Sequence, residues 1–161
     1  MIEYINNDTI IVNNDIYLID TATKETIITS RYNWEEWVVN SNGETVSYRL
    51  ILGSTKNQYG RLFLIVNFSA PISNKSLLYS WHLAPEKLIN GTQNKPKGKV
   101  THALNQWFKD ETGVNLPIIS NKIYIDSSYD PWNSAGLITC NYRSSFQSEE
   151  SWKEFNKQSN K

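Results

Sequence analysis

Two copies of an Asn-Asn-Asp turn open this chain, each followed by a run rich in β-branched residues. Asn6-Asn7-Asp8 precedes Thr9-Ile10-Ile11-Val12, and Asn13-Asn14-Asp15 precedes Ile16-Tyr17-Leu18-Ile19. Asparagine and aspartate tolerate left-handed backbone angles, and β-branched side chains suit the extended pleat. The pattern demands short antiparallel strands joined by tight turns. Asp20 to Glu25 is a third polar break before Thr26-Ile27-Ile28-Thr29, so residues 2–30 read as a β-meander. Two copies of seven residues are too few for a solenoid.

Downstream, Asn33 to Val39 is ambiguous, with Asn33 able to cap a short helix that holds Glu35 and Glu36 near its positive end. Glu44–Gly53 alternates Val46, Tyr48 and Leu50 with polar residues, as a strand does. Leu62-Phe63-Leu64-Ile65-Val66 is continuously apolar, which suits a central strand buried on both faces. The two are close enough to form a hairpin across Ser54–Gly60. Further strands are expected at Ser76–His82, Lys122–Asp126 and Gly136–Tyr142.

The clearest helix spans 102–112, with Thr101 as N-cap, Val100, Ala103, Leu104, Trp107 and Phe108 on one face, and Gly113 as terminator. A shorter helix is expected over Pro85–Asn90, and Ser148 opens a C-terminal one through Trp152 and Phe155. These elements compose an α+β fold: a mainly antiparallel sheet, an N-terminal β-meander, and two or three helices packed on one side. The length of 161 residues fits a single compact domain over 1–161, with a polar tail from about residue 157 to 161.

Composition narrows function. Lys plus Arg equals Asp plus Glu at 16 each, so there is no overall basic excess of the kind dedicated nucleic-acid binders show. The single cysteine, Cys140, excludes an internal disulfide and fits a reducing cytosol. In Leu137-Ile138-Thr139-Cys140 it reads as a small buried hydrophobe. Neither a signal peptide nor a membrane-length apolar stretch is evident, so the expected location is cytoplasmic, with no membrane partner. The richness in asparagine and isoleucine points to an AT-rich genome, and in a general way the composition resembles phage and plasmid accessory proteins.

The neutral total conceals a division. Residues 1–43 hold seven acids and two bases, whereas 81–109 hold Glu86 against Lys87, Lys95, Lys97, Lys99 and Lys109. Lys95, Lys97 and Lys99 alternate, which in an extended loop places them on one side to follow phosphates, with Lys87 nearby. His82 and His102, the only histidines, form the one candidate acid–base pair, for a metal-independent ribonuclease. Asp126-Ser127-Ser128-Tyr129-Asp130 reads as a turn before Pro131 rather than a metal site. HExxH, paired CxxC, Walker and GxGxxG motifs are absent, so no metal or cofactor is expected.

Six tryptophans and nine tyrosines remain, several in segments that do not read as core: Tyr32, Trp34, Trp37, Trp81, Tyr129 and Trp132. Large aromatics outside a core mark contact surfaces, because they bury much area at little entropic cost. The leading reading is a non-enzymatic cytosolic binding protein, an inhibitor of the phage or mobile-element kind that binds a host defence or replication factor through Trp34, Trp37, Tyr129 and Trp132. One alternative is a nucleic-acid-binding accessory protein using the lysine loop. The other is the histidine-based ribonuclease.

Overall fold

The computed structural model describes residues 2–5, 8–54, 59–69, 75–90, 97–131 and 135–159. The fold is α+β with mostly antiparallel sheets, an N-terminal three-stranded sheet, and helices packing on one side. Strands β1 (Ile2–Ile5), β2 (Thr9–Val12) and β3 (Ile16–Leu18) pair in chain order. Asp8, Asn13 and Asn14 take positive φ at the turns, as the opening repeat requires. The alternation then buries Ile2, Ile10, Val12, Ile16 and Leu18.

The meander ends earlier than residue 30. Thr26-Ile27-Ile28 lies in a helix, α1 (Lys24–Ile28), where Thr23 and Thr26 form a reciprocal capping box. A satisfied cap and the burial of Ile27 outweigh the strand preference of β-branched residues. Residues 35–39 resolve the other way, as strand β4 (Glu35–Val39), so Asn33 caps no helix.

The second sheet joins β4, β5 (Thr45–Ser54), β6 (Arg61–Asn67), β7 (Ser80–Pro85), β8 (Ile118–Ile119), β9 (Ile123–Asp130) and β10 (Ala135–Tyr142) in the order β4-β5-β6-β7-β10-β9-β8. The β5–β6 hairpin forms as expected. Yet β6 is not buried on both faces: Leu62, Leu64 and Val66 are fully buried, while Phe63 and Ile65 are only half-buried. The expected turn at 126–130 is strand, because β10 pairs with β9 along its whole length.

Helix α2 (Glu86–Asn90) follows β7 directly. Helix α3 (Lys97–Thr112) packs Val100, Leu104, Trp107 and Phe108 against β9, β10 and β1. It starts before residue 102, so Thr101 is an interior residue whose hydroxyl donates to the Lys97 and Gly98 carbonyls at 3.3 and 3.2 Å. Gly113, at φ +77°, ends it. Helix α4 (Glu149–Ser159) starts after Ser148 and continues into the expected tail. Its Trp152 is buried, and Phe155 packs edge-on against Tyr124 at 6.0 Å. Trp81, expected at the surface, is wholly buried on the helix-covered face, where its indole N–H donates to the buried Tyr142 hydroxyl at 2.8 Å.

Candidate protein-binding face

Strand registers carry one row of side chains across the sheet's other face. Glu35 stands opposite Arg49, Arg49 opposite Ile65, Ile65 opposite His82, His82 opposite Thr139, and Thr139 opposite Asp126. Their chain neighbours Leu50, Leu64, Leu83, Ile138 and Ile125 point into the core, so the period of two sends this row outward. Beside it lies a cleft of about 570 Å³ lined by Trp37, Arg49, Phe63, Ile65, Leu137 and Tyr129 among others. A second lobe of about 410 Å³ is lined by Lys97, Tyr124, Asp126 and Phe155, and shares Ser128 and Tyr129 with the first. The two lobes form one groove.

The groove is open at the β4 edge. All five residues of β4 are exposed, and Trp37, Val38 and Val39 keep 47%, 45% and 51% of their surface accessible. Edge strands are ordinarily blunted by charge or cover, so three adjacent exposed apolar residues mark a contact surface. A register shift between Glu36 and Val38 re-aims the strand at Trp37. The Arg49 guanidinium lies 4.2 Å from the Trp37 ring centroid and pairs with Glu35 at 2.5 Å, which holds the indole in place.

The polar groups of the face are partly desolvated. His82 Nδ1 lies 2.8 Å from Thr139 Oγ1, itself 3.2 Å from Ser128 Oγ. Burial pushes the His82 pKa below its ordinary value, so the ring is neutral at neutral pH. Asp126 accepts from the Ser127 N–H at 2.8 Å and the Tyr124 O–H at 3.3 Å, and burial raises its carboxyl pKa. Tyr124 is pushed up to about 12, first by burial and then by the Asp126 charge. Ser47 lines the cleft with a buried hydroxyl that has no hydrogen-bond partner among the described residues.

Of the aromatics expected to contact a partner, Trp37 lines this cleft from the exposed β4 edge, and Tyr129 lines it while half-buried against the core. Trp34 is half-buried against the core with its indole N–H donating to Ser30 Oγ at 3.0 Å, and Trp132 lies outside the described residues. Nothing unites the histidines: His82 is on the open face, whereas His102 is an exposed residue of α3, which packs on the opposite one. Of the lysine strip, Lys97 and Lys99 do not share one side. Lys95 lies outside the described residues, and Lys97 and Lys99 sit in the first turn of α3, where two residues rotate a side chain by about 200°. Lys87 is exposed on α2.

Asp126 and Asp130 lie on β9, and among the described residues no three His, Cys, Asp or Glu side chains group as metal ligands do. Cys140 is buried, which raises its thiol pKa and keeps it unreactive. The clefts also hold Arg49, Phe63, Ile65, Leu137 and Asp126, which no local sequence motif singles out. The one available signal was the apolar run of β6, whose excess of hydrophobicity serves the groove rather than a second core.

Comparison with known proteins bears on the whole chain. A family model described as RhsI1 immunity protein matches residues 2–161. A solved structure of Rhs1-CT in complex with cognate immunity protein RhsI1 contains a chain 37% identical to this one. The match covers 99% of this chain and 98% of that chain, with a TM-score of 0.85. A search of curated proteins found no match.

Proposed function

The chain belongs to the RhsI1 immunity protein family, and we propose that it binds a cognate Rhs toxin of the Rhs1-CT kind and holds it inactive. The observation that carries this reading is the end-to-end likeness to a chain of a solved complex between Rhs1-CT and its cognate immunity protein. A protein-binding inhibitor needs a preformed surface with apolar anchors, and the groove with its β4 edge supplies one. Trp37 is the anchor; Tyr129, like Trp34, is half-buried against the core. The family gives the inhibitor an immunity role, and the phage anti-defence reading gains no support. The free, buried Cys140 suits action in a reducing cytosol.

The test mixes the purified chain with its cognate toxin. A stoichiometric complex in size-exclusion chromatography, and survival of cells co-expressing the two, are expected. Alanine at Trp37 should weaken binding by about 2 kcal/mol or more while leaving the melting transition in place. Failure of the wild-type chain to bind the toxin or protect against it would sink the reading.

A further inference from the structure

The two lobes of the groove meet at Ser128 and Tyr129, and Asp126 lies beside that junction, two residues along β9 from Ser128. Its carboxylate accepts two hydrogen bonds, from the Ser127 N–H and the Tyr124 hydroxyl, and among the described residues no cation pairs with it. Burial without a counter-charge raises its pKa, so the ionised form is under-compensated in the free protein. Lys97 lines the same lobe, and among the described residues it closes no ion pair. At the other end, Arg49 is committed to Glu35 and to the Trp37 ring. What the groove offers a visitor is therefore an apolar floor with acid on its β9 side. A carboxylate-bearing segment would deepen the under-compensation, whereas a cation relieves it.

Resting on the immunity reading above, we propose that the toxin places a lysine or arginine side chain against Asp126 and lays the adjoining apolar residues of the same segment on Phe63, Ile65 and Leu137. The pairing would be partly desolvated, which makes it sensitive to truncation of either partner.

Calorimetric titration of the chain with its cognate toxin tests this. Asp126→Asn keeps the shape and removes the charge, and should weaken binding roughly tenfold or more. Asp126→Lys and Leu137→Ser should weaken it as well. Lys97→Ala removes a competing cation from the same lobe and should tighten binding. Glu150→Lys, at an exposed position of α4, serves as the control and should leave binding unchanged. Binding by Asp126→Asn within about twofold of wild type, or a larger loss from Lys97→Ala than from Asp126→Asn, would overturn the proposal.

A carboxyl-carbon NMR titration of the wild type, free and toxin-bound, guards against variants that do not fold. The Asp126 pKa should fall on binding, and an unchanged or raised value overturns the pairing. Absence of any wild-type complex would instead defeat the immunity reading itself, so the two failures are distinguishable.

Discussion

Gly136 shows how closely the helix layer fits the sheet. A β-carbon there would collide with Val100 Cγ1 and lie 2.9 Å from Leu104 Cδ1, both on buried residues of α3. Gly136→Ala should therefore destabilise the fold by about 1–3 kcal/mol, seen as a lower urea midpoint; an unchanged midpoint would mean that α3 can retreat at no cost. The sequence marks Gly136 only as part of an apolar run, since nothing local reveals which helix crosses it. Trp81 carries the same lesson. Next to His82 it reads as a surface aromatic, yet consecutive strand residues face opposite ways, and Trp81 lies in the core while His82 looks onto the groove. Which of the two faces outward follows from pairing with Ile65 and Thr139, not from the dipeptide.

Among the elements, α4 was the most legible, because its start is written locally. Ser148 Oγ accepts from the Ser151 N–H at 3.1 Å, and the Ser148 N–H donates to Ser151 Oγ at 3.3 Å. Ser148→Ala should cost about 1 kcal/mol and fray the first turn, which amide exchange at Ser151 and Trp152 would report; unchanged protection would show that the packing of Trp152 suffices. The apolar face of α3 and the β5–β6 hairpin were equally legible, since both follow from hydrophobic spacing. Residues 126–130 were not. Their Asp and Ser content favours a turn, but registered pairing with β10 supplies ladder hydrogen bonds that outweigh local preference. Likewise Thr26–Ile28 became helix through a cap that a β-branched count does not register.

Taken as a molecule, the protein leans on a neutral histidine in a half-buried place. Burial lowers the His82 pKa from 6.5, so the unfolded chain takes up a proton there more readily than the folded one. The stability this ring contributes is then fully present above pH 6.5 and is lost as the pH falls through the lowered folded value. Urea unfolding at about pH 7.5 and about pH 5.5 should show a drop that is smaller in His82→Asn, and equal drops would remove His82 as its source. The Arg61–Glu86 pair adds nothing in that window, because Arg61 holds the Glu86 carboxyl at about 2. The strand alternation of the meander and the apolar face of α3 are local properties, because hydrophobic period and turn chemistry act within a few residues. The make-up of the open face, by contrast, depends on pairing between distant segments. Trp37 meets Arg49, and His82 meets Thr139 beside Asp126, through strand registers between distant segments. A one-residue slip in any of those registers would turn the row inward.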